Sequence, residues 1–268
     1  MAHKNKENYS PWKARQAGQK PRTRLGVHKK PEKIFSLEEA NDRLDDIFRN
    51  HGFLGVSHEQ RKLLAHYYRL LMLNQQNENF TRLLKFRDIA IKHFIDSLIV
   101  ERVHPLKFPL MDMGTGPGLP GIPLKIMHPN DQILLAEGVQ KRVSFLKSVR
   151  DELCLKRLDI IGRNINKFFV YPVQGVITRA VEDIRNTLGN VISCLQVGGE
   201  VYFMKGPGVD PEIEPALQSW GKFYELKSDI AYELPKTPHR RRLLVFRKIQ
   251  NAPLPNEEEQ DFPLLEGE

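Results

Sequence analysis

Leu110-Met111-Asp112-Met113-Gly114-Thr115-Gly116-Pro117-Gly118-Leu119-Pro120-Gly121 is a short apolar run that breaks into a turn holding four glycines. An apolar strand feeding such a turn is the opening β–α unit of a doubly wound sheet, because glycine backbone admits conformations and close ligand approach that a Cβ forbids. Downstream, the apolar runs Ile133 to Leu135, Leu158 to Ile161, Val176 to Ile177 and Val201 to Met204 alternate with helix-like stretches at Lys141 to Leu153, Asp183 to Leu195 and Pro211 to Trp220. That alternation predicts an α/β fold with a parallel sheet covered by helices on both faces. Phe223 to Leu234 and Leu243 to Ile249 read as longer strands joined through a corner with Pro235 and Pro238, so these two are expected to run antiparallel. Upstream of the turn, three helices are expected. Ser36 with Glu39 and Ser57 with Gln60 have capping-box spacing ahead of apolar residues at helical period, Gly52 stands at a helix C-terminus, and a third stretch runs from Asp88 to Val103 before Pro105. The expected organisation is a disordered basic tail over 1–33, a helical cap over 34–104, the sheet domain over 105–250 and a disordered acidic tail over 251–268.

Composition narrows the class. The 268 residues carry a formal charge of +8 and are 40% hydrophobic, a basic globular composition with enough chain for one full domain and its additions. Apolar runs as short as Leu70 to Leu73 leave no membrane-spanning helix to expect, since spanning needs roughly 18 or more apolar residues. Only Cys154 and Cys194 occur, without a C-x-x-C or Cys/His cluster, so no structural metal is expected and both thiols are predicted to be buried in a reducing cytosol. Residues 1–33 hold ten Lys/Arg against two Glu, and residues 251–268 hold six acids and no base, which leaves a moderately basic body. The first segment is poor in large apolar residues and lacks the apolar core of a secretory signal, which points to the cytoplasm. A basic tail of this kind is either a solvated extension or, the preferred reading, an arm that binds a polyanion through counterion release.

Two cofactor classes compete for the glycine turn. Gly116-x-Gly118-x-x-Gly121 satisfies the dinucleotide fingerprint, with Glu137 about 20 residues on. A pyrophosphate, however, is held by free backbone N–H groups at a helix N-terminus, and Pro117, Pro120 and Pro123 each lack that donor. S-adenosylmethionine carries no phosphate and needs close backbone approach plus an acid near its ammonium group, which Asp112 can supply. The methyl-donor reading is therefore preferred over the dinucleotide one. Glu137, at the end of the second strand, is a candidate acceptor for the ribose hydroxyls, its ordinary alternative being a solvated strand-end acid.

These residues carry a resemblance. Asp112 to Pro123, together with Lys92-His93-Phe94-Ile95-Asp96-Ser97, Asn79-Phe80-Thr81, Lys141 to Leu146, Thr178-Arg179-Ala180 and Lys205-Gly206, closely resemble the bacterial glucose-inhibited division protein B family (GidB, RsmG), over about residues 36 to 250. The resemblance implies a class I methyltransferase fold, Rossmann-like and doubly wound, with an N-terminal helical cap. It also implies S-adenosylmethionine as methyl donor, and as substrate a guanine N7 in the decoding-region hairpin of 16S ribosomal RNA, free or in the 30S subunit. The cofactor positions it implies are Gly114, Leu119, the backbone at Asn164 and Ile165, and Arg179, beside Asp112, Gly116, Gly118 and Glu137 from the turn and second strand. Glu137 stands where the family usually has Asp, and Ile165 where it commonly carries an acid, which removes a side-chain contact and leaves the backbone ones. Both tails lie outside the family pattern. Asn79-Phe80-Thr81 also spells a glycosylation sequon, which has little force without a secretory signal.

N7 of guanine has an in-plane lone pair and no proton, so methylation there needs alignment more than a base, and no catalytic residue is assigned. An Asn/Asp-Pro-Pro-aromatic motif for amine methylation and a nucleophilic Cys beside Pro for carbon methylation are both absent. Lys205, Arg240, Arg241 and Arg242 are candidate RNA-phosphate binders, each with solvated surface charge as its ordinary alternative. His93 and Asp96, three apart on one helix, are either a polar pair shaping the cap or substrate contacts. The competing function from another class is a ribosome or RNA-binding module that keeps a vestigial methyltransferase fold, and a dinucleotide oxidoreductase stands third.

Overall fold

The structure, a computed structural model, describes residue 31, residues 33–179 and residues 182–253, with Gln76 and Asn77 described in backbone only. The two expected tails therefore lie almost wholly outside the described residues. Three helical segments come first: α1 (Leu37–Asn50), α2 (His58–Glu78) and α3, a run made of Phe86–Ile89, a π-helical turn Ala90–Ile95, Asp96–Leu98 and Val100–Val103. At α2 the capping box is complete, Gln60 N–H donating to Ser57 Oγ at 3.2 Å and Ser57 N–H to Gln60 Oε1 at 2.9 Å. At α1 only half of it forms. Ser36 Oγ accepts from Glu39 N–H, but the Glu39 carboxylate turns to Arg43 at 2.9 Å and Lys33 at 3.4 Å.

The sheet follows as β1 (Leu110–Met113), β2 (Ile133–Ala136), β3 (Leu158–Ile161), β4 (Val173–Arg179), β5 (Leu195–Lys205), β6 (Tyr224–Glu233) and β7 (Arg240–Lys248). Its order is β3-β2-β1-β4-β5-β7-β6, parallel through β5 and antiparallel where β7 inserts between β5 and β6. This is the class I methyltransferase sheet expected above. The helices between strands are α4 (Gly121–Met127), α5 (Gln140–Glu152), α6 (Ile184–Asn190) and α7 (Asp210–Trp220). The helix expected over Asp183 to Leu195 is shorter: Asp183 caps it, its carboxylate accepting from Asn186 N–H at 2.7 Å, and Leu195 already belongs to β5.

Strand alternation assigns the faces. Leu110 joins the apolar cluster under α1–α3, which holds Phe48, Leu64, Tyr67, Leu71 and Phe94, while Met111 and Met113 join the cluster under α6 and α7. Asp112 must then point to the Leu110 face, beneath the helical cap, and it is completely buried. The first cluster runs without a break from the cap into the sheet through Leu110, Leu135, Ile177 and Tyr202. Each large apolar side chain buried there contributes on the order of 1.5–3 kcal/mol, so the cap is fastened to the sheet by its core. Cys194 is buried as expected, whereas Cys154 is exposed: it follows α5 in a left-handed turn with φ +51°, which carries its side chain out of the core. No helix among the described residues is long and apolar enough to cross a membrane, and no group of three or more His, Cys, Asp or Glu is arranged to hold a metal ion among them.

Candidate functional site

Strand order reverses between β1 and β4, so the crevice outside the carboxyl ends of those strands is where a doubly wound sheet binds ligands. Two clefts open along this edge. The first, of about 460 Å³, is lined by Met113, Gly114, Ala136, Asn164, Ile165, Glu182 and Asn190. The second, of about 370 Å³, is lined by Lys92, His93, Asp96, Arg179, Met204, Lys205, Gly206 and Arg241.

The turn between β1 and α4 is closed upon itself. Gly114 and Thr115 N–H donate to Ala136 O, Gly116 N–H to Glu137 Oε2, Gly118 and Leu119 N–H to Thr115 O, Gly121 N–H to Asp112 Oδ2, Ile122 N–H to Gly118 O and Leu124 N–H to Pro120 O. Pro117, Pro120 and Pro123 have none to give. Every N–H from residue 114 to 124 is thus engaged, leaving no nest for a diphosphate. The preference for a methyl donor, argued from the prolines, acquires a fuller physical basis.

Asp112 is the turn's internal clasp. Its Oδ2 accepts from Thr115 Oγ1 at 2.6 Å and Gly121 N–H at 2.7 Å, while Oδ1 is buried and has no partner. Burial outweighs those hydrogen bonds and raises the carboxyl pKa to about 6. Glu137 is likewise committed to the chain, Oε1 accepting from Val139 N–H at 2.8 Å and Oε2 from Gly116 N–H at 3.0 Å, with Arg142 at 3.5 Å. A carboxylate has about four acceptor positions, so capacity for ribose hydroxyls remains. Gly118 sits at φ +111°, where a Cβ would meet Ile122 Cγ1 at 2.5 Å and Leu146 Cδ2 and Tyr67 Oη at 3.1 Å. Tyr67 in turn donates to Pro117 O at 2.8 Å, so α2 of the cap braces the turn directly.

Ile165 is buried in the cluster that holds Met113, Leu134 and Ala136, and with Met113 and Ala136 it forms the apolar wall of the first cleft. Asn164 reaches it because Gly138 has no Cβ: one would lie 2.2 Å from Asn164 Oδ1. The residues fit S-adenosylmethionine by this chemistry: an apolar wall, a turn without phosphate donors, and two buried acids, one with an unpartnered oxygen. Gly114, Asn164 and Ile165 come together in the first cleft, with Gly116, Gly118 and Leu119 in the turn beside it, and Asp112 of β1 and Glu137 after β2 bonded to that turn. Arg179, expected with them, lines the second cleft instead. Glu182 and Asn190, which close the first cleft and bond to each other at 2.7 Å, were not foreseen. They arrive from the α6 side, and no motif marks them.

The second cleft is a charged knot around Asp96, which is 3% exposed and accepts from Arg179 at 3.2 Å and Arg241 at 3.1 Å. His93, presented by the π-helical turn, bonds Thr81 Oγ1 through Nε2 at 2.8 Å. Burial and the neighbouring Arg179 push its pKa down to about 3, so the imidazole is neutral. Lys205 also faces this cleft, held by Glu212 at 2.8 Å and Glu182 O at 2.9 Å. Arg240 and Arg242 point elsewhere: Arg240 pairs with Glu233, and Arg242 is gripped by Asp210 and Asp229. Alternation along β7 separates them from Arg241. Of the four expected phosphate binders, only Lys205 and Arg241 line the cleft.

Known proteins agree with this geometry. Residues 60–237 match the family described as GidB, rRNA small subunit methyltransferase G. The ribosomal RNA small subunit methyltransferase G 2 of Bdellovibrio bacteriovorus is 68% identical over 242 residues, covering 90% of this chain and 95% of that protein. The ribosomal RNA small subunit methyltransferase G of Carboxydothermus hydrogenoformans is 35% identical over 79% of this chain and 92% of its own length. With its sheet, its turn and these relatives in agreement, this chain belongs to the rRNA small subunit methyltransferase G family.

Proposed function

We propose that the chain transfers a methyl group from S-adenosylmethionine to N7 of a guanine in the decoding-region hairpin of 16S ribosomal RNA, acting in the cytoplasm on the RNA or the 30S subunit. The observation that carries the reading is the pairing of two clefts on one sheet edge: one with an apolar wall beside a turn with no free N–H, and a cationic one next to it. Bound in the first cleft, S-adenosylmethionine supplies a methyl group already activated on a sulfonium.

The residues supply position and environment. Ile165, Met113 and Ala136 exclude water from the adenine side, the backbone at Asn164 and Ile165 receives the base, and Glu137 accepts from the ribose. Asp112, clasping Thr115 and Gly121, holds the turn in the shape that Gly114 and Leu119 present to the donor. Arg179, Lys205 and Arg241, oriented by Asp96 and Glu212, meet the RNA backbone and align the guanine. Because N7 has no proton, alignment does the work that a general base does elsewhere.

The test is labelled-donor transfer to 16S RNA and to 30S subunits, with the product mapped by aniline cleavage and primer extension. Transfer to a guanine N7 is expected, and Gly114→Val, which crowds a residue at φ +70°, should abolish donor binding. RNA binding without transfer would instead favour a vestigial module, and unchanged donor affinity in Gly114→Val would refute the site.

A further inference from the structure

The arginines and lysines of the second cleft are all engaged: Arg179 and Arg241 by Asp96, Lys205 by Glu212, Lys92 by Asp88. Free positive charge gathers nearby. Arg82, Lys85 and Arg87, all exposed, have no carboxylate partner among the described residues, and they lie on the segment joining α2 to α3 and on the first turn of α3. Lys85 and Arg87 help line a groove of about 560 Å³ that also holds Lys33, Phe35, Arg43 and Phe86, with Asp46 in its lining and Glu39 paired to Lys33 and Arg43, which leaves Lys85 and Arg87 as its uncompensated charges among the described residues. Its floor is aromatic. Phe35 and Phe86 meet edge to face at 5.2 Å, and Phe35 carries the Arg43 guanidinium at 4.2 Å and the Lys33 ammonium at 4.6 Å from its ring centre.

This groove and the second cleft are lined from one helical run: Arg87 precedes Lys92 by five residues, and Thr81, which holds His93, is four residues from Lys85, a span of at most about 14 Å of extended chain. We propose that the groove seats the single-stranded RNA flanking the methylated nucleotide: Lys85 and Arg87 hold its phosphates, with Arg82 beside them, and a base takes the place of the exposed Lys33 ammonium over Phe35. The inference rests on the proposed RNA substrate. Cations interleaved with aromatic rings suit a single strand, which offers both phosphates and unpaired bases. The chain's own basic N-terminal segment has the wrong sign to occupy it, whereas the acidic residues 254–268 have the right one and must be tested.

The experiment uses the full chain with 16S RNA and the double variant Lys85→Ala/Arg87→Ala, both positions being exposed. The KM for RNA should rise about tenfold with kcat unchanged, and the log–log salt slope of binding should flatten by about 1.4, at about 0.7 per lost single-strand phosphate contact. Donor affinity by calorimetry should match the parent. Unchanged KM and salt slope would overturn the proposal. So would a chain shortened at residue 253 that binds RNA more tightly in the parent background but not in the double variant, since the acidic tail would then be the occupant. Should the parent bind 16S RNA without methylating it, the functional reading fails while the salt slopes still decide the groove.

Discussion

Asp112 offers a test in which stability and donor binding respond to pH in opposite directions. Its carboxyl is pushed up to about 6 from the usual 3.8, because burial outweighs the hydrogen bonds from Thr115 and Gly121 and the attraction of Arg179, while Glu137 adds repulsion. The folded chain therefore binds this proton more tightly than the unfolded chain. The group's contribution to stability is complete below about pH 4 and is lost as pH rises through about 6. At about 1.4 kcal/mol per pKa unit, the loss is on the order of 3 kcal/mol. Donor binding runs the other way, since a cationic ammonium favours the ionised carboxylate. At pH 5 only about one tenth of the carboxyl is ionised, so affinity should be about tenfold weaker than at pH 7, where ionisation is nearly complete. Asp112→Asn keeps the shape and can still accept from Thr115 and Gly121. It should flatten both profiles and weaken donor binding at pH 7. Calorimetric titration with S-adenosylmethionine from pH 5 to 8, paired with urea unfolding over the same range, reads both. A wild-type affinity that does not change between pH 5 and 7, or an Asn variant that retains the wild-type pH dependence, would refute the role assigned to this acid.

Gly118→Ala combines a forbidden φ with overlaps on Ile122, Leu146 and Tyr67, and should cost about 2–3 kcal/mol in urea unfolding and at least tenfold in donor affinity. Glu200, 1% exposed and bonded to Lys227 at 2.7 Å, His104 at 3.0 Å and Tyr202 at 3.1 Å, has its pKa lowered to about 2; its stabilisation is present above the usual 4.5 and disappears as pH falls through about 2. Glu200→Gln leaves Lys227, and Lys107 at 3.3 Å, without their acid and should destabilise the protein at pH 7 by about 3 kcal/mol while erasing that acid-sensitive step. Deleting residues 1–33, which lie almost wholly outside the described residues, should weaken 16S RNA binding and flatten its salt dependence; an unaltered slope in filter-binding assays would make the segment a bystander.

The sequence alone determined the strand order's raw material and the identity of the turn. Period-two and period-3.6 patterns depend only on near neighbours, so strands, helices and the antiparallel last pair could be read directly, and glycines and prolines announce a turn because their backbone limits are intrinsic. The wall at Ile165 and the clasp at Asp112 were legible as positions but not as environments. Asp112 was expected near the cofactor's ammonium, yet only the folded turn shows one oxygen committed to Thr115 and Gly121 and the other left bare. Tertiary structure also decided which charges are free. Arg240, Arg241 and Arg242 look alike in sequence, but strand alternation and acids from distant segments, Asp96, Asp210 and Asp229, sort them into different roles. Ion pairing is a property of residues far apart along the chain and close in space, which no local pattern encodes.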